Sequence, residues 1–382
     1  MLKRTAYRGR DGARIALLLA GLLSMAPAMP MDDPGAELLS EMAGPLDDTA
    51  PDRKQAETVF MPIPMSNPTV GTGGAIAVMR LFQFDEDSQS SSVTGGAMYT
   101  NTESWAVGGI AKLNFHQDKY RVQAGGGYFS MNLDLYGLGV GDRLPLVIPI
   151  TEKGYFAIAE GLMRFGSGFY IGPRFRYLQV DSSLNFAVPP ETGNPLPGLL
   201  LTSAGPGLRA MWDTRDHLLY PGSGFNLDFK LNTSLESVGA DRNYSTYRLA
   251  YSHYYTLAEN QVLAARLTLC AASDNAPFYD ICLFGSDNAL RGYVGGQYRD
   301  FRMLTAEAEY RWRFTERFGM VAFAGLGQVA PSFNELNSDN TLPSVGAGLR
   351  FMASREHKVD ISMDWAFGKD SDALYFYIGQ AF

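Results

Sequence analysis

Alternation of apolar and polar residues is the feature of this sequence that most restricts its fold. It is clearest at 225–232, 246–252, 304–314 and 359–367, where apolar residues occupy every second position. Successive side chains of a β-strand point to opposite faces, so a period of two places the two sets on opposite sides of a sheet. No sustained helical periodicity occurs beyond about residue 68. The sequence therefore predicts an all-β fold.

A soluble β-sandwich would also alternate, but several observations favour a sheet that crosses a membrane. The segments have the length of tilted transmembrane strands, about 9–11 residues. Their polar face carries several charges per strand, as in a water-filled lumen, and aromatic residues recur at the strand ends. Backbone groups in hydrocarbon must all be hydrogen-bonded, so such a sheet has to close on itself. We predict a single antiparallel transmembrane β-barrel.

The N-terminal segment is typical of an export signal. Basic residues precede the apolar run 15–23, and Ala26-Pro27-Ala28 offers an A-x-A cleavage site. The run is far shorter than the ~20 residues of a membrane-spanning helix, although an uncleaved anchor remains an alternative. We assign residues 1–28 to a signal peptide, 29–65 to a disordered periplasmic leader rich in Pro, Asp and Glu, and 66–382 to the barrel.

The alternation and the turn residues predict fifteen strands. They cover 70–83, 91–101, 103–115, 119–130, 153–166, 168–180, 201–213, 224–236, 244–256, 260–272, 302–314, 317–329, 342–353, 357–367 and 373–382. Single-chain bacterial barrels have even strand numbers, so we expect about sixteen. The missing strand is expected within 131–152 or just before residue 70.

Several function classes lack support in the sequence. The net charge of −8 offers no basic face for nucleic acid. The four histidines show no metal-ligand spacing. No G-x-S-x-G motif occurs, and no helix is predicted after the glycine-rich segment 71–74, which a phosphate loop would require. We expect no enzymatic activity, no metal and no cofactor.

The two cysteines, Cys270 and Cys282, are the only ones in the chain. In an oxidising compartment they could form a disulfide across a short loop. Two free thiols near a strand end are the alternative, and the sequence leaves both open.

A charged strand end is followed by a turn at residues 212–224. Asp213, Arg215 and Asp216 precede Pro221 and Gly224, and proline and glycine are typical of turns. Arg215 could pair with Asp213 or Asp216 to fix this turn. An ordinary charged turn is the alternative.

A second motif lies in a long loop at about 273–301. Loops of this length are uncommon unless they are functional or disordered. The motif consists of Leu290, Arg291, Gly292 and Tyr293. Glu307 and Glu309 share the polar face of the next strand, and an arginine–carboxylate pair there could hold the loop as a plug. A solvated surface loop is the alternative.

Together with the strand 306–312 and the C-terminal segment 345–382, these motifs resemble the BamA/TamA (bacterial surface antigen) outer-membrane superfamily. The resemblance covers about residues 65–382 and is strongest from 205 onward. It implies that the arginine of the loop motif engages acidic residues of the barrel wall, with Glu309 as the matching acid. Many relatives have an aspartate at the position of Gly325, so the grip on Arg291 is expected to be weaker or differently built.

The same resemblance concerns the end of the chain. Phe376, Ile378 and the terminal Phe382 are similar to the signal that the barrel-assembly machinery reads during biogenesis. A simple edge strand that closes the barrel is the other explanation, and both can hold.

The leader is too short for a POTRA module, so the chain resembles the branch that has the barrel alone. This implies a bacterial outer-membrane location and contact with outer-membrane lipids. We expect a loop-gated pore, or a translocation or insertion barrel for lipidic or protein cargo. A passive diffusion channel and a structural or adhesive surface protein are the alternatives. The sequence fixes neither the cargo nor the oligomeric state.

Overall fold

A computed structural model describes residues 56–67, 69–137, 147–184, 199–218, 220–285, 290–354 and 359–382. The predicted signal peptide and most of the predicted leader lie outside these residues. Within them, sixteen strands form one antiparallel sheet and two short strands form a second. The strands are β1 (Glu57–Asn67), β2 (Gly71–Phe82), β3 (Ser91–Thr100), β4 (Trp105–Phe115), β5 (Tyr120–Leu135), β6 (Ile148–Phe165), β7 (Phe169–Leu184), β8 (Leu199–Asp213), β9 (Gly224–Ser234), β10 (Tyr244–Ala258), β11 (Gln261–Ala272), β12 (Cys282–Leu283), β13 (Arg299–Asp300), β14 (Arg302–Arg313), β15 (Phe318–Ala330), β16 (Leu342–Ser354), β17 (Val359–Phe367) and β18 (Asp372–Ile378).

The large sheet follows chain order from β1 to β11 and from β14 to β18, and each strand pairs with its neighbours. The two edge strands, β1 and β18, lie beside each other, so the sheet comes round on itself. The prediction of an all-β barrel with about sixteen strands is confirmed. Within the described residues the helical structure consists of three single 3₁₀ turns, and none is long and apolar enough to span a membrane.

The strand that the periodicity missed is β1, just before residue 70. It pairs along its whole length with β2, from Glu57 opposite Leu81 to Asn67 opposite Gly71. Residues 57–65, which we assigned to the leader, therefore belong to the barrel sheet. Pro62 and Pro64 made this segment look unlike a strand in the sequence, because proline cannot donate a ladder hydrogen bond. Within sheets, proline is confined largely to edge strands. β1 is such an edge strand.

The other end of the chain also differs from the prediction. We expected a strand over 373–382, but β18 ends at Ile378. Gly379 follows with a φ of 87°, a left-handed conformation that only glycine adopts without strain. The last residues therefore leave the sheet.

The strands that carry the alternation have the predicted polar face in the lumen and the predicted apolar face on the outside. Along β14, Glu307 and Glu309 are buried in the lumen while Tyr310 and Trp312 are exposed on the outside. Exposed large apolar side chains recur around the exterior, among them Leu326, Leu349 and Trp365. A continuous apolar exterior of this kind suits hydrocarbon rather than water.

Strand β2 is apolar on both faces. In β2, Ala77 and Met79 are buried while Ile76 and Val78 are about half exposed on the opposite face. This departs from the expected polar lumen. The buried set, which we call the apolar wall, forms one cluster: Val70, Ala75, Ala77, Met79, Leu81, Met98, Ala106, Ile110, Phe129, Met131, Phe156, Ile158, Leu178, Val180 and Leu201.

Candidate functional site

The loop between β11 and β14, residues 273–301, folds into the barrel. It is described except for 286–289, and β12 and β13 pair within it, with Cys282 opposite Asp300. Its side chains Phe284, Tyr293 and Tyr298 are buried in one cluster with Met303 of the barrel wall. The predicted loop in the lumen is confirmed, and a solvated surface loop is excluded.

Arg291 is the centre of the contacts between this loop and the wall. Its side chain is 2% exposed. Its Nη2 donates to Glu307 at 2.7 Å and to Glu309 at 2.6 Å, and its Nη1 donates to Asp364. The guanidinium also lies 3.4 Å from the centre of the Phe323 ring. One loop side chain is thus held by β14, β15 and β17 at once.

Two further arginines complete this group of charges. Arg350 donates to both carboxylate oxygens of Asp364, and Arg311 donates to Glu309 at 2.7 Å. We call Arg291, Glu307, Glu309, Arg311, Arg350 and Asp364 the charge cluster. Three arginines face three carboxylates, all of them buried, so the cluster is neutral overall. Buried charges persist in proteins when they are paired and hydrogen-bonded in this way.

Gly325, the position where many relatives have an aspartate, packs against the loop motif. A Cβ on Gly325 would lie 2.3 Å from Leu290 Cδ1, so glycine leaves room for the leucine of the loop motif. Asp364 of β17 supplies the third carboxylate to Arg291. Arg291 is thus held by Glu307, Glu309 and Asp364, with glycine at position 325.

Gly348 makes room for Asp364, because a Cβ there would lie 1.8 Å from Asp364 Oδ1 and 2.7 Å from the Met363 carbonyl oxygen. We expect Gly348→Ala to lower the free energy of unfolding by about 1–3 kcal/mol through overpacking. Gly95→Ala is the matched control, since a Cβ at Gly95 has its nearest contact at 3.8 Å. Thermal unfolding of both variants measures the difference, and equal stability would contradict the steric account.

The rest of the loop motif is fixed by backbone contacts. Gly292 has a φ of 98°, and its N–H donates to the Tyr375 hydroxyl at 2.9 Å. The Tyr293 hydroxyl donates to the Pro343 carbonyl oxygen and accepts from the Lys369 N–H at 2.9 Å. These contacts reach three more wall positions, so the motif is fixed as a unit.

A second anchor holds the beginning of the loop. Asp280 is buried and accepts two hydrogen bonds from Arg176 of β7, one of them at 2.8 Å. The Tyr244 hydroxyl donates to the same carboxylate. Here the acid is on the loop and the arginine is on the wall, the reverse of the arrangement at Arg291. The sequence analysis missed this anchor, because the two residues are 104 positions apart.

Cys270 and Cys282 form a disulfide. It joins the end of β11 to β12 inside the loop, two residues beyond Asp280. The bond therefore ties the beginning of the loop covalently to the barrel wall.

Removal of this disulfide by Cys270→Ser with Cys282→Ser is expected to lower the free energy of unfolding by about 2–4 kcal/mol, because the unfolded chain gains freedom. Thermal unfolding with and without a reductant measures it. Reductant should destabilise the wild type and leave the double variant unchanged. A wild type insensitive to a reductant that has demonstrably cleaved the bond would contradict the expectation.

The turn motif is connected to the charge cluster. Arg215 donates to both oxygens of Asp213, at 2.9 and 2.7 Å, rather than pairing with Asp216. Asp216 instead accepts from the backbone N–H groups of residues 222 and 223. The Pro221 carbonyl oxygen accepts from Arg311 at 3.3 Å. Gly224 begins β9 with a φ of 89°, and a Cβ there would lie 2.2 Å from the Thr214 carbonyl oxygen.

The chain terminus also reaches this cluster. The Phe382 main-chain oxygen accepts from Arg311 at 2.7 Å, and its ring lies 5.6 Å from the same guanidinium. Phe376 remains in β18 opposite Met363, and Ile378 is the last residue of that strand. Of the three residues of the predicted assembly signal, Phe382 alone lies beyond the sheet.

The described part of the chain contains no cluster of histidine, cysteine, aspartate and glutamate that could hold a metal ion. The charged side chains of the site are instead paired with one another, which suits them to holding a loop in place.

Comparison with known proteins agrees with this architecture. Residues 202–382 match the model of the Omp85 superfamily domain. The chain has an Omp85 superfamily domain. The matched region begins in β8 and includes the whole loop, the charge cluster and the turn motif. Arg176 of β7, the wall partner of Asp280, lies outside it. No curated protein matches the sequence.

Comparisons with solved structures find the same barrel fold over most of the chain. BamA from Haemophilus ducreyi lacking POTRA domains 1–3 is 13% identical with a TM-score of 0.54, over 85% of this chain and 69% of that one. CdiB from Escherichia coli is 13% identical with a TM-score of 0.56, over 86% and 63%. CdiB from Acinetobacter baumannii is 10% identical with a TM-score of 0.54, over 94% and 73%. The chain spans about two thirds of the length of these structures.

Proposed function

We propose that this Omp85 barrel is a bacterial outer-membrane protein whose lumen is closed by the loop 273–301. When the loop moves, the barrel translocates or inserts lipidic or protein cargo. The observation that carries the proposal is the burial of Arg291 between carboxylates of two wall strands. These contacts hold the loop in the lumen as a group, so their release would free it to move.

The placement in the outer membrane rests on the apolar exterior and on the fold shared with BamA and CdiB. Outer-membrane lipids are then the surroundings of the barrel, and the barrel-assembly machinery is its partner during biogenesis. The arrangement of paired charges supports a transporter or an insertase rather than an enzyme.

Single-channel recording in planar lipid bilayers tests the closed lumen directly. We expect the purified wild type to be closed or to show only brief openings. Large, steady conductance would contradict a gated lumen and would favour a passive diffusion channel. Heat-modifiable migration in electrophoresis establishes that the reconstituted barrel is folded.

A client assay separates insertion from simple conduction. The protein is reconstituted in liposomes, an unfolded outer-membrane barrel is added, and protease protection of that client is measured against empty liposomes. Faster protection supports an insertion barrel. Protection at the rate of empty liposomes would contradict insertion of protein clients. If the external loops of this barrel then bind a ligand, an adhesive role is favoured.

A further inference from the structure

Three positively charged side chains lie side by side on the lumen face of β8, β9 and β10. Arg209 is directly opposite Lys230, and Lys230 is directly opposite Arg248. Asn232 and Ser234, which alternate in phase with Lys230 along β9, are buried in the lumen, so the three side chains share the inner face. We call them the basic row. Like charges directly opposite each other destabilise a sheet, so nearby negative charge would stabilise the row.

The carboxylates near the basic row compensate it only in part. Asp228 accepts from Arg209 at both oxygens, each at 3.0 Å, and Glu160 accepts from the same guanidinium at 2.5 Å. The Lys230 ammonium makes no hydrogen bond or ion pair with a residue that the structure describes. Both carboxylates are thus bound to Arg209, and an excess of positive charge remains at Lys230.

Two further cations add to this excess. Arg174 of β7 lies over Gly207 of β8, where a Cβ would be 2.9 Å from Arg174 Cγ. Lys112 of β4 is at a similar height on the lumen face, since it is opposite Gln123 and Gln123 is opposite Glu160. Around the basic row, five cations therefore face two carboxylates, which leaves a net charge of +3.

The basic row is in contact with lumen water. The side chains of Arg209 and Asp228 are 19% and 17% exposed, whereas those of the charge cluster are at most 5% exposed. Lys230 is likewise only partly buried. In the described structure, neither Arg209 nor Lys230 forms an ion pair or a side-chain hydrogen bond with the loop. A small anion in the lumen can therefore contact Lys230 while the loop stays in place.

We propose that the basic row binds the phosphate of a phosphate monoester, carried either by a lipid headgroup or by a soluble ester. Such a group has a charge of about −2 at neutral pH and three oxygens that accept hydrogen bonds. The phosphate accepts from the Lys230 ammonium and is flanked by Arg209 and Arg248. The site goes beyond the proposed function, because the anion binds without release of the loop.

A phosphorus NMR titration of the full chain, folded in a non-ionic detergent, tests the site. The probe is glycerol 3-phosphate, and the comparison ligand is its methyl ester, a phosphodiester with a single negative charge. We expect the probe to bind about fivefold or more tightly than the ester, because one further negative charge acts on the cations of the row.

A lipid with the same phosphate distinguishes the two sources. Lysophosphatidic acid, which carries this phosphate on an acyl chain, is titrated in parallel. Tighter binding of the lipid than of glycerol 3-phosphate would support a lipid headgroup as the source. Equal or weaker binding of the lipid would support a soluble ester.

Matched lysine variants locate the anion. Lys230→Met should weaken binding of the probe by about tenfold or more, because it removes a charge-assisted hydrogen bond at the centre of the basic row. Lys153→Met is the control, since it removes the same charge from β6, where Lys153 is exposed on the outer face of the barrel. The control should leave binding of the probe unchanged.

Several outcomes would overturn the proposal. One is a folded wild type that does not bind the probe, which would mean that water and counterions alone compensate the basic row. Another is equal binding of the probe and its methyl ester. A third is an equal effect of Lys230→Met and Lys153→Met. The charge preference of the wild type decides the matter even if a variant fails to fold. A wild type that binds the probe but conducts steadily would support this site and contradict the gate.

Discussion

Arg291→Ala is expected to open the barrel and to lower its free energy of unfolding by about 3–5 kcal/mol, the usual cost of breaking a buried ion pair from one side. Glu307 would be left without an ion pair, because Arg291 is its only ion-pair partner in the described structure. Glu309 and Asp364 would keep Arg311 and Arg350. The alanine therefore leaves an uncompensated buried charge and removes the main attachment of the loop.

Planar-bilayer recordings would show the effect as frequent, longer openings of the variant against a closed wild type. Arg313→Ala is the matched control. Arg313 belongs to β14, the strand of Glu307 and Glu309, but it pairs with Asp360 at 2.6 Å and makes no contact with the loop in the described structure. The control should lose stability without opening. A folded Arg291→Ala variant that stays closed would contradict the gate.

Arg291→Lys separates geometry from charge. Lysine keeps the positive charge but cannot present the planar fork that reaches Glu307, Glu309 and Asp364 together. We expect openings intermediate between wild type and Arg291→Ala. Comparing the open probabilities of the wild type, Arg291→Lys and Arg291→Ala under one voltage protocol distinguishes the effect of the charge from the effect of the side-chain geometry.

Sequence patterns were informative where the two faces of a strand differ chemically. Along β14 the alternation placed Glu307 and Glu309 in the lumen. β2 gave a weaker signal, because it carries apolar side chains on both faces. β1 gave no alternation signal, and its prolines made it similar in composition to the predicted leader. Periodicity reports a contrast between faces, so it fails where that contrast is absent.

The candidate site was predictable only in part, for a different reason. Arg291 and Glu307 are 16 positions apart on adjoining segments, so the pair could be inferred from the loop and the next strand. Asp364 is 73 positions from Arg291 and comes near only because the barrel curves β17 round to face the loop. Closure of a sheet produces such contacts, and local patterns carry no record of them.

The loop thus lies between two surfaces of different chemistry. Arg291 holds the part of the loop beyond its midpoint at the charge cluster. Asp280 and the disulfide hold its first third near the apolar wall. The two anchors have opposite polarity, so neither can exchange partners with the other. A loop fixed at both ends should move fully only when both attachments are lost.

Asp280→Asn combined with Arg291→Ala is the strongest test of this arrangement. Asp280→Asn alone removes the negative charge that faces Arg176 and should cost about 3–5 kcal/mol of stability. Its barrel should stay mostly closed, because the disulfide and Arg291 still hold the loop. With the disulfide reduced in all three proteins, the double variant should conduct steadily, with an open probability above the sum of the two single variants.

Asp228→Asn provides the control for the double variant. Asp228 also pairs with a wall arginine, Arg209 at 3.0 Å, but it belongs to β9 and not to the loop. Combined with Arg291→Ala it should change stability and leave the open probability of Arg291→Ala as it is. If both combinations conduct alike, the opening reflects a loosened barrel rather than a released loop. If only the Asp280 combination conducts steadily, the loop is the gate and has two anchors.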